Sequence, residues 1–303
     1  MKINVDILNE RLDKYISDKI DDLSRSDIKR AIDSGNIKVN GKNQKPSYKI
    51  KQNDEITIND EIFSIKDISP ENIDIKIVYE NEDFAVINKD KDVIVHPSGN
   101  IVSGTLENAL LYHFDKLSDL SGEDRKGIVH RLDRNTTGLI IIAKNNKIHQ
   151  ILKEKFKKRE IYKEYITIVH GNFYDKLKDT IDKPIARSTT NRKKMAIDEN
   201  GRKAITNYEV IDQVEGFALV KVIIKTGRTH QIRVHMRSIN HPVVGDDLYC
   251  NVKESFNTKG QILHCRKMAF QIDDKKYEFT ADVDDEFKHI LEILKLDYNK
   301  IKD

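Results

Sequence analysis

The sequence contains no tryptophan and only two cysteines, Cys250 and Cys265, among its 303 residues. Two isolated thiols form neither a disulfide framework nor a metal-ligand spacing, which is typical of a reducing compartment. The longest apolar run, residues 139–143, is too short to cross a bilayer, and the first 15 residues lack the apolar segment of a signal peptide. We therefore expect a soluble, cytoplasmic protein.

The sequence also lacks an excess of one charge, because 53 basic residues face 50 acidic ones and leave a net charge of +3. Any contact with nucleic acid must therefore be argued from local clusters of charge. The length fits two domains, or one domain of ordinary size with an appended module.

Residues 1–60 have the pattern of a small separate module. Apolar side chains recur at every fourth position and predict one face of a helix, at Leu8, Leu12, Ile16 and Ile20. Ser24 followed by Asp27 predicts the capped start of a second helix, and Gly35 predicts its end. Asn40-Gly41 between two extended segments predicts a hairpin.

Beyond residue 73, short segments rich in β-branched and aromatic residues predict strands that outnumber the helices. Helices are predicted over residues 147–159 and 286–296. Because strands and helices do not alternate, the pattern favours an α+β fold with a mixed, largely antiparallel sheet. Residues 61–72 are polar and predict a linker between domains at 1–60 and 73–303.

The most informative pattern is GIVHRLDRNTTGLIIIAKN, at residues 127–145. It places one carboxylate, Asp133, between Arg131 and Arg134 and just before a strand-like apolar run. Nearby guanidinium groups favour an ionised carboxylate, which can serve as a nucleophile or a general base. Taken alone, the pattern is also typical of a surface loop with a salt bridge.

The same residues resemble the catalytic motif H-R-L-D-x-x-T-[ST]-G-L of the RluA/RluD family of RNA pseudouridine synthases, and every position of the motif is filled. The resemblance implies that Asp133 is the catalytic residue and that a mixed sheet carries an RNA-binding cleft. The helix, helix, strand, turn, strand order of residues 1–60 resembles the S-four-type (αL) RNA-binding domain. This domain is a common N-terminal attachment in the family.

Two further segments resemble motifs of the family. Residues 83–97 resemble N-K-P-x-G-x-x-V-H-P, although Asp90 and Asp92 stand where the motif has proline and glycine. Residues 160–171 resemble the K-x-Y motif, which implies that the ring of Tyr165 stacks on the target uracil.

A last segment, residues 224–249, matches the pattern T-G-R-T-H-Q-I-R-V-H and the H-P-V-x-G-D that follows it. Thr229 is predicted to cap a helix over residues 230–238. Three histidines of the segment resemble metal ligands when taken together, but no cysteine or carboxylate completes a site, and we expect no metal.

The resemblance also implies how the residues around Asp133 act. Arg233 is implied to pair with the Asp133 carboxylate and to fix its position. Ile232 is implied to pack against the base, and Arg131 to fill the space that the target nucleotide leaves.

Two basic segments are candidate RNA contacts. Residues 1–52 contain 12 basic and 8 acidic side chains, and residues 183–203 contain 7 basic and 2 acidic ones. Either segment could be an ordinary solvated surface, but the resemblance favours phosphate contacts. The residues expected to make them are Arg25, Lys29, Arg30, Arg192, Lys193 and Lys194.

We therefore expect an RNA pseudouridine synthase that isomerises uridines in structured RNA, namely 23S-type large-subunit ribosomal RNA. The reaction adds and removes nothing, so no cofactor, nucleotide or metal is expected, and we expect a monomer. Two alternatives remain open: the same chemistry on transfer RNA, and a non-catalytic RNA-binding protein of ribosome assembly. Whether Asp133 attacks the sugar or the base is likewise left open.

Overall fold

The computed structural model describes residues 1–6, 9–20, 25–59, 68–97, 101–122, 125–252 and 256–301. The chain divides into two compact units, Met1–Asp67 and Ile68–Asp303. The predicted linker, residues 61–72, falls largely outside the described residues, and the predicted domain limits stay predictions. Within the described ranges, no helix is long and apolar enough to cross a membrane.

The first unit packs two helices against a small antiparallel sheet. Its elements are β1 (Lys2–Asn4), α1 (Leu12–Lys19), α2 (Arg25–Asp33), β2 (Ile37–Val39), β3 (Lys42–Asn43) and β4 (Glu55–Ile58). The strand order is β1-β4-β2-β3. Leu12 and Ile16 of α1 and Ile28 of α2 are fully buried with the inward residues of β2 and β4. This apolar cluster gives the unit a core of its own.

The structure tests the local predictions for this unit. The first helix spans Leu12–Lys19, whereas Leu8 of the predicted apolar face and Ser24 of the predicted capping box lie outside the described residues. Asn40 (φ 50°) and Gly41 (φ 73°) join β2 to β3. Positive φ at both positions is typical of a type I′ turn, so the predicted hairpin is confirmed.

The second unit is built on one large sheet with helices against it. Its elements are β5 (Lys76–Glu80), β6 (Phe84–Lys89), α3 (Leu106–His113), β7 (Thr137–Ala143), α4 (Asn146–Lys158), β8 (Tyr162–His170), β9 (Lys178–Asp182), β10 (Ile185–Arg187), β11 (Met195–Ile197), β12 (Ile205–Val214), β13 (Phe217–Ile224), α5 (Gln231–Ser238), β14 (Leu263–Ile272), β15 (Lys275–Thr280) and α6 (Asp285–Leu294). The turn Tyr298–Lys300 is a short 3-10 helix.

The large sheet has nine strands in the order β5-β6-β7-β14-β8-β13-β12-β9, with β15 paired to β14. β7 and β14 run parallel, and the other pairs described in this sheet are antiparallel. The predicted α+β fold with a mixed, largely antiparallel sheet is thus confirmed. β10 and β11 form a separate two-stranded hairpin.

Both faces of the sheet are covered, which explains the uninterrupted apolar run in β7. Leu139 and Ile141 pack into the cluster that contains residues of α4 and α5, whereas Ile140 and Ile142 pack into the cluster of α3. Alternate residues of a strand point to opposite faces, so both sets can be apolar. Farther along the sheet, Phe287 of α6 packs with apolar residues of β8.

Gly138 permits the parallel contact between β7 and β14. Its φ is +105°, and a Cβ atom there would lie 2.3 Å from the carbonyl oxygen of Cys265. Glycine is the residue that tolerates both this backbone conformation and this close approach. The contact matters for function because β7 follows directly after the loop that carries Asp133.

α5 starts differently from the sequence prediction. It begins at Gln231, and its N-cap residue is His230, in the left-handed conformation (φ 55°) and without a side-chain capping bond. Thr229 therefore does not cap the helix. The Gln231 side chain instead receives a hydrogen bond from the Arg228 N–H at 3.0 Å and fixes the entry to the helix.

Candidate active site

A cavity of about 570 Å³ opens on the second unit. Its walls come from the loop before β7, from β8, from the end of β13 and from the start of α5. This volume is within the range of small-ligand sites. The structure brings five of the predicted residues to its lining: Arg131, Asp133, Tyr165, Ile232 and Arg233.

The loop that carries Asp133 is anchored by a buried lysine. Lys89 is only 2% exposed, and its ammonium donates to the carbonyl oxygens of Asp90, Val93 and Arg134 at 2.8–2.9 Å. Burial lowers the pKa of Lys89 to about 7, and the charge of Asp133 opposes this shift. Three carbonyl acceptors use all three N–H groups of the ammonium form. Lys89 therefore fixes the loop when the lysine is protonated.

Arg233 contacts Asp133, as the resemblance to the family implied, but it also binds a second carboxylate. Nη1 lies 3.2 Å from Asp133 Oδ2, while Nε and Nη2 lie 2.6 and 2.8 Å from the two oxygens of Asp246. Burial opposes the guanidinium charge, but the hydrogen bonds and charge of Asp246, followed by those of Asp133, outweigh it and raise the pKa of Arg233. Asp246 therefore sets the orientation in which Arg233 reaches Asp133.

His230 is the next residue close to Asp133. Its Nε2 lies 4.0 Å from Asp133 Oδ2, and its Nδ1 lies 2.8 Å from the Tyr249 hydroxyl. Burial lowers the pKa of His230, and the charge of Asp133 only partly opposes this shift. The imidazole is therefore neutral near pH 7.

Tyr165 and Lys163 stand on the same face of β8 and both line the cavity. Burial raises the pKa of the Tyr165 hydroxyl well above its ordinary value. Burial also lowers the pKa of Lys163, whose ammonium lies 5.5 Å from the ring centre of Phe156. The cavity thus combines a neutral aromatic wall with cationic groups, a composition suited to a base and its phosphates.

Arg131 is exposed at the rim, with Nη1 3.5 Å from His96 Nε2. The two departures from the first motif are accommodated nearby. Asp92 adopts the left-handed conformation (φ 65°) that suits the expected glycine, and its carboxylate accepts from Arg134 Nε at 2.6 Å. Asp90 pairs with Lys76 at 2.7 Å.

The candidate RNA contacts lie outside the cavity lining. Arg192 and Lys193 are exposed in the loop between β10 and β11, and Lys194 is half-buried with its Nζ 5.9 Å from the ring centre of Tyr249. In the first unit Lys29 is exposed on α2, whereas the side chains of Arg25 and Arg30 lie outside what the structure describes.

No group of three or more histidine, cysteine, aspartate or glutamate side chains in the described ranges is arranged to hold an ion. Two of the three histidines in the segment 224–249 have other partners: the buried His235 contacts the Thr206 hydroxyl at 2.9 Å, and the half-buried His241 contacts the His170 carbonyl at 2.9 Å.

Comparison with known families identifies the chain. The model of the RNA pseudouridylate synthase family matches residues 83–238, which is more than half of the sequence, and the S4 domain model matches residues 10–56. The protein belongs to the RNA pseudouridylate synthase family and carries an S4 domain in its first unit. The family and enzyme class predicted from the sequence are thereby confirmed.

Relatives match over most of the chain. An uncharacterized RNA pseudouridine synthase of Aquifex aeolicus (strain VF5) is 44% identical over 82% of this chain and 79% of its own length. YlyB of Bacillus subtilis (strain 168), also an uncharacterized RNA pseudouridine synthase, is 34% identical over 95% of both chains. Ribosomal large subunit pseudouridine synthase D of Escherichia coli (strain K12) is 35% identical over 98% of this chain and 94% of its own.

The structure of human RNA Pseudouridylate Synthase Domain Containing 1 superimposes with a TM-score of 0.60. The match covers 75% of this chain and 97% of the human chain at 24% identity. At this identity the comparison shows a shared fold.

Sequence reasoning missed three residues that organise the site: Lys89, Asp246 and Tyr249. A signal was available for Asp246, because it is the aspartate of the H-P-V-x-G-D pattern. Its burial opposite Arg233 depends on contacts across the fold that no local pattern shows. Tyr249 carries no such signal, since a tyrosine three residues after an aspartate is unremarkable in sequence.

Proposed function

We propose that this protein converts specific uridines of large-subunit ribosomal RNA to pseudouridine, with Asp133 as the catalytic residue. The observation that carries the proposal is the position of Asp133 on the cavity wall, held by a buried arginine and facing Tyr165 and Ile232. The relatives named for the ribosomal large subunit, which align over nearly the whole chain, support this choice of RNA.

The reaction breaks the bond between ribose C1′ and uracil N1 and forms one between C1′ and C5. C5 loses a proton and N1 finishes with one, so the composition of the nucleotide does not change. The target base must leave its stack to enter the cavity. In this proposal Arg131, which lines the cavity at its exposed rim, fills the vacated space. Tyr165 supplies a ring for stacking, which is worth roughly 1–3 kcal/mol per base.

One carboxylate oxygen of Asp133, Oδ2, is contacted by neighbouring side chains, and the other, Oδ1, is available to the substrate. Arg233 and His230 both approach Oδ2, and within the described part of the chain no donor reaches Oδ1. An ionised carboxylate with a fixed rotamer and a free oxygen is suited to attack on the flipped nucleotide. Ile232 closes the apolar side of the cavity beside it.

The two units divide the work in this proposal. The S4 domain (through Arg25, Lys29 and Arg30) and the β10–β11 loop (through Arg192, Lys193 and Lys194) bind phosphates and select the RNA. Such contacts depend strongly on salt. A protein that lacks residues 1–67 should keep its chemistry and lose affinity, and this loss should shrink as the salt concentration is raised.

The decisive experiment is pseudouridine mapping on total RNA from cells with and without this gene, followed by complementation with Asp133→Asn. We expect specific sites in the large-subunit ribosomal RNA to disappear and to return with the wild-type gene alone. Loss of sites in transfer RNA instead would move the substrate to that class. Normal modification by Asp133→Asn would show that Asp133 is not the catalytic residue. RNA binding without any change in modification would favour the non-catalytic alternative.

A further inference from the structure

A chain of hydrogen bonds runs from the β10–β11 hairpin to the cavity through Tyr249. The backbone N–H of Met195, the first residue of β11, lies 2.7 Å from the Tyr249 hydroxyl oxygen. The same oxygen lies 2.8 Å from His230 Nδ1. The opposite ring nitrogen, Nε2, faces Asp133 Oδ2 at 4.0 Å.

The donors and acceptors in this chain of hydrogen bonds can be assigned by giving each proton a partner. Met195 can only donate, so the hydroxyl oxygen of Tyr249 accepts that bond. Donation of the single hydroxyl proton to His230 Nδ1 is the arrangement that gives this proton a partner among the described contacts. A neutral imidazole with an accepting Nδ1 carries its proton on Nε2, and this N–H faces the cavity.

Both partners of the contact are held in place. The backbone N–H of Tyr249 donates to Asp246 Oδ1 at 3.0 Å, and the guanidinium carbon of Arg233 lies 5.1 Å from the tyrosine ring centre. His230 is fixed by its left-handed backbone at the start of α5. The tyrosine is therefore anchored to the same carboxylate that orients Arg233.

We propose that Tyr249 is a positioning residue that keeps His230 in its Nε2–H tautomer, so that this N–H faces Asp133 and the substrate atom bound to it. The inference rests on the proposed role of Asp133. At 4.0 Å the N–H makes no hydrogen bond to the carboxylate, so it is available when substrate arrives. A fixed donor there stabilises the carboxylate charge each time Asp133 is released from the nucleotide.

The test is Tyr249→Phe, which keeps the ring over Arg233 and removes only the hydroxyl. Nitrogen-15 NMR of protein labelled at histidine reports the tautomer directly, with the His230 signal assigned by its loss in His230→Gln. We expect the Nε2–H form alone in the parent and a mixture with the Nδ1–H form in Tyr249→Phe. Tyr208→Phe is the matched control, since its hydroxyl donates to the Lys176 carbonyl at 3.2 Å, away from the cavity lining.

Kinetics provide a second readout. Single-turnover rates should fall roughly five- to tenfold in Tyr249→Phe, the size of one lost hydrogen bond, with unchanged RNA affinity. A hydroxyl that donates to Nδ1 favours the neutral ring, so its removal should raise the pKa of His230. The acid limb of the rate profile should therefore move to higher pH.

A double-mutant cycle completes the test. Glutamine at position 230 has no Nδ1, so adding Tyr249→Phe to His230→Gln should cost nothing further. An unchanged tautomer and acid limb in Tyr249→Phe would overturn the proposal even if the rate fell, as would additive losses in the cycle. If the parent modifies no RNA, the proposed function fails, yet the NMR comparison still decides the tautomer.

Discussion

Arg233 is held more closely by Asp246 than by Asp133. Its guanidinium makes two hydrogen bonds of 2.6 and 2.8 Å to the first carboxylate and one of 3.2 Å to the second. Asp246 also accepts from the backbone N–H groups of Leu248 and Tyr249. One cation between two carboxylates leaves a net negative charge, and the less satisfied carboxylate, Asp133, is the one that faces the cavity.

Asp246→Asn should therefore destabilise the second unit and lower activity. Asparagine keeps one acceptor oxygen but loses the charge and one of the two hydrogen bonds to Arg233, which costs about 1.5–3 kcal/mol for a buried charged group. Asp247→Asn is the matched control, because this exposed neighbour lies 3.8 Å from the same guanidinium and should change stability by less than about 0.5 kcal/mol. Chemical denaturation of both variants gives the comparison. Equal losses of stability in the two variants would contradict a special role for Asp246.

Arg233→Lys should lower the single-turnover rate by roughly a hundredfold, although the charge is conserved. A lysine ammonium cannot hold both oxygens of Asp246 and reach Asp133 with the same planar geometry. Arg237→Lys, one turn later on α5 and exposed, is the control and should retain parental activity. If both variants react at the parental rate, the guanidinium does not position Asp133.

Gly138→Ala should lower stability by several kcal/mol, because the new Cβ would meet the Cys265 backbone at 2.3 Å. Gly216→Ala separates this clash from backbone strain. Gly216 has a φ of +80° with no atom within 4 Å of an added Cβ, so it should lose only about 1–2 kcal/mol. Thermal unfolding of the two variants measures the difference. A similar loss of stability in both variants would show that the β7–β14 contact can shift to accommodate a methyl group.

Stability should fall as the pH drops from about 6.5 to about 4. Burial lowers the pKa of His264 to about 4, while the unfolded chain binds a proton near pH 6.5, so acid favours unfolding within this window. The shift corresponds to roughly 3 kcal/mol, and His130, whose pKa burial lowers to about 3, acts in the same direction.

His264→Gln should flatten the pH dependence. Glutamine can still donate to the Ala281 carbonyl, which His264 Nε2 contacts at 3.0 Å, but it does not titrate. His289→Gln, on the exposed side of α6, should keep the parental slope. Denaturation midpoints at several pH values decide between the two. A His264→Gln slope equal to that of the parent would show that other groups govern acid unfolding.

Much of the fold could be predicted from local pattern. The Asn40-Gly41 turn follows from backbone preference, and the apolar run in β7 follows from burial on both faces of the sheet. β14 was not predicted, because Arg266 and Lys267 interrupt its apolar pattern. Those charges are tolerated since Arg266 pairs with Glu164 and Lys267 with Glu278.

The site residues that belong to recognisable motifs could be predicted from the sequence. The features of the site that depend on packing between distant segments could not. Asp133, Tyr165 and Arg233 come from matched motifs, and the structure brings all three to one cavity. The start of α5 was predicted wrongly, because a left-handed His230 replaces the expected cap at Thr229. The His230 side chain contacts the Tyr249 hydroxyl, 19 residues later in the chain, and such a long-range contact lies beyond the reach of a local rule.

The sheet order has a consequence for synthesis of the chain. β14 lies between β7 and β8, although it follows them by more than 90 residues. Until residues 263–272 leave the ribosome, the two halves of the sheet present unpaired edges to each other and to other chains. Asp133 and Arg233 belong to opposite halves of that unfinished sheet. We therefore expect Asp133 and Arg233 to come together in one late, long-range step of folding.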